Sequence, residues 1–116
     1  MEFIPLKVAN QLEEIDVLSN SKPQVIFKHS TSCYISGMAK KSLVRELENT
    51  NEGMVDVYYL DLLLHRNLSN TIAERYHVRH ESPQLLLIYH SKCVFNASHG
   101  DVSLDKAMEV LKINPH

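Results

Sequence analysis

Cys33 has the most chemistry to offer in this chain, and its setting is specific. It stands within KHSTSCYIS, residues 28–36, after the apolar run Val25-Ile26-Phe27 and ahead of a stretch with helical periodicity. At a strand-to-helix turn the first N–H groups of the helix lack partners inside it, and the helix dipole adds positive potential. A thiol there ionises more readily, and the thiolate is the form that attacks disulfides. Lys28 and His29 add positive charge from upstream. The plain alternative is a small apolar filler, as many free cysteines are; the polar flank Ser30-Thr31-Ser32 favours an open, reactive site instead. The spacing Cys33-Tyr34-Ile35-Ser36 is C-x-x-S. A C-x-x-C site frees a trapped mixed disulfide with its own second thiol, whereas serine cannot, so this site needs a resolving thiol from elsewhere. Two readings of Ser36 stay open: a hydrogen-bond donor to the Cys33 sulfur, or an ordinary occupant of the first helical turn.

The elements that must hold Cys33 follow from hydrophobic period. Val8, Leu12, Ile15 and Leu18 recur at helical spacing over residues 8–18, and SNSKP stops them. PQVIFKH is short and β-prone, as a buried strand is. From Tyr34 to Leu47 the apolar set Ile35, Met38, Ala39, Leu43, Val44 and Leu47 predicts a second helix, ended by Asn49, Asn51 and Gly53. GMVDVYYLDL reads as a strand, with Tyr58, Tyr59, Leu60, Leu62, Leu63 and Leu64 as core, and residues 67–76 as a helix with asparagine available as cap. QLLLIY, the turn HSK and CVFNAS form a hairpin. Ser103 to Leu111 closes the chain as a helix with Leu104, Ala107, Met108 and Leu111 on one face. This order, with parallel crossovers first and a hairpin last, is that of a thioredoxin-like α/β fold: one domain over 1–116, with a central mixed four-stranded sheet flanked by helices. Order alone leaves other α/β folds open.

A second signal is Glu81-Ser82-Pro83-Gln84, just before LLLIY. In thioredoxin-like folds a cis-proline here faces the active cysteine, and the residue before it lends its backbone to a bound chain. A proline also opens strands for plainer reasons. Cys93 is the obvious candidate resolver, but it follows strand 84–89 and so falls on the order of 20 Å from Pro83. A disulfide needs Cα atoms within roughly 7 Å, which favours Cys93 as a buried strand residue. The returning strand brings Ser98-His99-Gly100-Asp101 back to the active edge. There Asp101, or the helix start at Ser103, can meet a charged low-molecular-weight thiol.

At these residues the chain resembles the monothiol bacilliredoxin family, thioredoxin-fold proteins of bacteria that use bacillithiol in place of glutathione. The matching pieces are FKHSTSCYIS at 27–36, VRHESPQLLLI at 78–88 and Ala97-Ser98-His99, with compatible spacing over nearly the whole chain. The family's usual string is threonine-cysteine-proline-isoleucine-serine; here Ser32 and Tyr34 depart from it, and Tyr34 alters the first helical turn, hence the thiol pKa or the pocket's shape. The resemblance implies removal of bacillithiol from oxidised proteins. Cys33 is then the nucleophile, regenerated by another thiol, and Ser82 and Pro83 form the facing loop. Tyr34, His99 and Asp101 join them in substrate binding, while His29 and Ser36, from the residues' own chemistry, tune the thiolate. It implies no required cofactor, bacillithiol as thiol co-substrate, and bacillithiol-modified proteins and a low-molecular-weight thiol as partners.

Other classes find less support. The 116 residues suffice for one core without covalent staples, and apolar and charged fractions are those of ordinary globular chains. A net charge of −2 gives no footprint for nucleic acid or an anionic membrane. Two cysteines make no disulfide framework, the N-terminus lacks a secretory pattern, and runs such as Leu85 to Tyr89 are too short to cross a bilayer. A reducing cytoplasm is therefore expected. Among seven histidines, His77-x-x-His80 is the one close pair, and without a second pair it reads as solvated loop histidines rather than a zinc site. No G-x-S-x-G turn supports a serine hydrolase. Two rivals stay open: an iron–sulfur cluster held by Cys33 with a small thiol, and a redox-inactive thioredoxin-like adaptor.

Overall fold

The computed structural model describes residues 2–30, 34–51 and 53–112, with Tyr34 and Ile35 as backbone alone. In chain order the elements are β1 (Ile4–Pro5), α1 (Asn10–Leu18), β2 (Gln24–His29), α2 (Tyr34–Glu48), β3 (Asp56–Asp61), α3 (Arg66–Tyr76), β4 (Gln84–Tyr89), β5 (Lys92–Ser98), a 3-10 turn (His99–Asp101) and α4 (Leu104–Val110). Among the described residues the sheet has five strands in the order β1-β3-β2-β4-β5. β1 and β2 run parallel to β3, β4 runs antiparallel to β2, and β5 antiparallel to β4. This is the thioredoxin-like α/β arrangement, with one strand more than the expected four. Ile4 and Pro5 are too few and too exposed to show a strand pattern in the sequence.

β2 is buried along its whole length, and alternation sorts its residues to two cores. Val25 and Phe27 pack with Leu43 and Leu47 of α2 and with Leu104, Ala107 and Met108 of α4. Ile26 packs with Leu12 and Ile15 of α1 and Leu68, Ile72 and Tyr76 of α3. The same alternation sends Lys28 toward α3 and His29 toward α2. In β5 the register slips between Leu87 and Ile88, which pair with Phe95 and Cys93. Val94 is the extra residue of this bulge, so Phe95 joins one core and Cys93 borders the other.

Several apolar assignments change. α1 starts at Asn10, because Gln11 Oε1 accepts from the N–H groups of Lys7 and Val8 at 2.7 and 3.0 Å and fixes the entry. Val8 precedes the helix and is exposed, Leu18 at its last position is exposed too, and Leu12 and Ile15 are fully buried. Met38 is exposed as well. Leu63 and Leu64, expected in the core, are 52% and 74% exposed and Tyr59 is partly buried. The chain leaves β3 on an Asp61 turn, whose carboxylate accepts from Leu63 N–H at 3.0 Å, so the alternation that buries Tyr58, Leu60 and Leu62 ends there. The same turn starts α3 early: His65 is the cap residue and Asn67 lies inside the helix. Ser103 does cap α4, accepting from Lys106 N–H at 3.2 Å.

Candidate active site

Cys33, with Thr31 and Ser32, lies outside the described residues, so its expected place at a helix N-terminus rests on its neighbours in the chain. Those neighbours are ordered by a buried serine. Ser36, in the first turn of α2, is fully buried; its Oγ accepts from Ser30 N–H at 3.0 Å and lies 2.7 Å from His29 Nδ1. This one hydroxyl ties the end of β2 to the start of α2 on both sides of residues 31–33.

His29 is buried, with its ring stacked on Phe27 and tilted against Tyr59. Burial and then the nearby Lys40 cation push its pKa below the ordinary histidine value, against smaller opposing effects of Ser36 and Asp61. The ring is therefore neutral at pH 7, and the positive charge expected of His29 is absent there. A neutral ring beside a hydroxyl that already accepts from Ser30 is best satisfied when Ser36 donates to Nδ1, which assigns the ring proton to Nε2. Lys40 Nζ sits 4.9 Å above the Tyr59 ring, which places a cation on this side of the sheet. Lys28, also expected to add charge at Cys33, points to the opposite face. It is wholly buried, and its Nζ lies 3.2 Å from the Ser69 carbonyl and 3.4 Å from His80 Nδ1. Burial pushes its pKa down to about 8.

The second expected signal lies beside this edge. Lys28 pairs with Gln84 in register, so β4 begins next to the C-terminal end of β2. The Ser82–Pro83 peptide bond is cis, and Pro83 is buried. Ser82 Oγ is buried with no hydrogen-bond partner among the described residues. His99 N–H donates to the Pro83 carbonyl at 3.0 Å, joining the 3-10 turn to this segment. His99 adopts φ 55° and is exposed; with Gly100 and Val102 it faces Met38, Ala39 and Ser42 of α2 across a groove of about 250 Å³. Asp101 is exposed, 4.0 Å from Lys106 Nζ. The structure thus gathers His29, Ser36, Ser82, Pro83 and His99 at one edge, with the backbone of Tyr34 at the start of α2, and leaves Asp101 on its rim.

Cys93 is a half-buried strand residue paired with Ile88, toward the other end of β4 from Pro83. Its thiol lies 3.2 Å from the Phe95 carbonyl, and burial pushes its pKa up. His80, read as a solvated loop histidine, instead contacts Lys28 and, at 3.0 Å, Ser69 Oγ. Strand parity was the available signal: Lys28 shares the face of Ile26, toward α3.

The sequence pattern of the monothiol bacilliredoxin BrxC family matches residues 4–107. A solved protein of thioredoxin fold is 32% identical, with 93% of this chain and 92% of that one covered and a TM-score of 0.77. The thioredoxins of Malassezia sympodialis and Arabidopsis thaliana (thioredoxin O1) are similar in fold, at 14% and 18% identity and TM-scores of 0.72 and 0.71. The first alignment covers 96% of this chain and 90% of that one, the second 94% and 96%. No helix among the described residues is long and apolar enough to cross a membrane. By that family match over most of its length, the chain belongs to the monothiol bacilliredoxins, thioredoxin-fold proteins with a thiol redox role.

Proposed function

We propose that the protein removes bacillithiol from protein mixed disulfides through Cys33 alone, in a reducing cytoplasm and with the whole chain acting as one domain. The observation that carries this reading is the family match over residues 4–107, which spans the C-x-x-S segment at 33–36 and the Ser82–Pro83 segment. The Cys33 thiolate attacks the bacillithiol sulfur of the mixed disulfide. The old S–S bond breaks, its electron pair leaves with the substrate's sulfur, which takes a proton, and a new S–S bond joins Cys33 to bacillithiol. A second low-molecular-weight thiol, as thiolate, then attacks the bacillithiol sulfur, forms a disulfide with it and returns Cys33 as thiolate. Cys93 has no part in either step.

In this reading Ser82 offers its backbone to the bound chain beside Pro83, Tyr34 shapes the mouth of the site, and His99 and Asp101 meet the polar parts of bacillithiol. Ser36 and His29 join the end of β2 to the start of α2 and keep a neutral imidazole there. The test is mass spectrometry after incubating the reduced protein with a bacillithiolated protein, for wild type, Cys33→Ser and Cys93→Ser. One bacillithiol on Cys33, lost in Cys33→Ser and kept in Cys93→Ser, is the expected result. Absence of an adduct where a free thiol reacts refutes the reading.

A further inference from the structure

Lysine is rarely buried without a counter-charge, yet Lys28 is wholly buried, and among the described residues no carboxylate lies within ion-pair reach of it. Its contacts lead toward one short segment. Nζ donates to the Ser69 carbonyl in α3 at 3.2 Å and faces His80 Nδ1 at 3.4 Å, and Ser69 Oγ lies 3.0 Å from the same nitrogen. An ammonium beside Nδ1 requires a lone pair there, so the proton of a neutral His80 sits on Nε2. Gln84, the register partner of Lys28, donates from Nε2 to the Arg79 carbonyl at 2.9 Å. Residues 79 and 80 are therefore anchored twice to the sheet, immediately ahead of Ser82 and the cis bond to Pro83.

We propose that Lys28 and His80 are positioning residues for the Ser82–Pro83 segment, holding residues 79–83 against β2 and α3 while His80 is neutral and releasing them when it takes a proton. The proposal rests on the reading of this segment as the place where the bound chain lies. Protonation of Nδ1 would set two positive donors against each other across the 3.4 Å contact. The charged groups facing His80 are Lys28 from β2, Arg66 from α3 and Glu81 from its own segment. Burial first, and then the two cations, push its pKa below the ordinary histidine value despite Glu81, so the anchored state prevails at neutral pH.

Hydrogen exchange followed by mass spectrometry tests the positioning without requiring activity. In wild type, residues 79–84 should lose protection roughly tenfold, after correction for intrinsic rates, between about pH 7.5 and about pH 5. His80→Gln keeps an acceptor for Lys28 but cannot titrate, and should show no such change. Lys28→Met should exchange fast in this segment at both values while β2 and β3 stay protected. Turnover supplies the second readout. Lys28→Met should raise KM for a bacillithiolated protein roughly tenfold, with kcat and the alkylation rate of Cys33 unchanged. Unaltered protection of 79–84 in Lys28→Met, no change in wild type between the two pH values, or a loss spread evenly over the chain overturns the proposal, as does an unchanged KM. If the exchange pattern appears but wild type transfers no bacillithiol, the functional reading fails and the anchoring stands.

Discussion

Replacing Lys28 by methionine keeps an unbranched, nearly as long buried side chain and removes its charge, and it should make the protein more stable. The folded chain gives up the Lys28 proton at about 8, whereas an unfolded lysine holds it to 10.5. Between those values the unfolded state binds more protons, so wild-type stability rises with pH; below about 8 the cost of the buried ammonium is present in full. The gap corresponds to about 3 kcal/mol. Against this stand the two hydrogen bonds of the amine that methionine cannot make, each contributing roughly 0.5–1 kcal/mol. Little is orphaned by their loss: the Ser69 carbonyl lies within α3, and His80 Nδ1 keeps Ser69 Oγ. A net gain of about 1–2 kcal/mol is expected at neutral pH, or several degrees in Tm. Urea melts of both proteins at about pH 7 and about pH 9.5 provide the assay, and the difference between the proteins should shrink at the higher pH. A variant less stable than wild type at pH 7, with no pH dependence in that difference, would show the ammonium to be fully compensated and refute the reasoning. Global stabilisation combined with a looser 79–83 segment would identify Lys28 as a residue kept for position at a cost in stability.

Glu46 of α2 accepts from Ser103 Oγ, Leu104 N–H and Asp105 N–H at 2.7, 2.9 and 2.9 Å, so Glu46→Ala should cost about 2 kcal/mol and expose α4 first in hydrogen exchange. Ser36→Ala leaves Ser30 N–H and His29 Nδ1 without this buried partner; a loss of about 1–3 kcal/mol in chemical denaturation is expected, with an altered rate of Cys33 alkylation. Ser19→Ala should cost about 1–2 kcal/mol in the same assay, because its buried Oγ joins the Asp16 carbonyl to Ser91 N–H and so ties α1 to the β4–β5 turn. His29 and His80 both bind protons less readily folded than unfolded, so stability should fall as pH drops below 6.5, and His29→Gln should reduce that slope.

The strands next to the site were the most legible part of the chain. QLLLIY occupies β4 from end to end, because the five-residue apolar run Leu85 to Tyr89, bounded by a proline segment and a polar turn, has the length and composition of a buried strand. The C-x-x-S spacing and Ser82-Pro83 likewise pointed to one edge, since β2 and β4 must meet there in antiparallel register. Local pattern could not say where burial stops. Leu63 and Leu64 look like core until the Asp61 turn redirects the backbone, and Val8 fits the helical period but precedes the helix. The partnership of Lys28 with Ser69 and His80 was hidden for another reason: it joins residues 41 and 52 positions apart, which only tertiary packing brings together.

The two flanks of the sheet carry a consequence for behaviour at high concentration. An open strand edge presents unpaired N–H and C=O groups on which a second molecule can continue the ladder. β1 covers one flank with two residues, one of them a proline that has no N–H to give. The opposite flank, β5, begins with Lys92 and is distorted by the bulge at Val94, which spoils the straight register a foreign strand needs. Both borders are thus poor templates for edge-to-edge growth, and the folded protein should resist fibril-like self-association despite a sheet rich in leucine, isoleucine and valine.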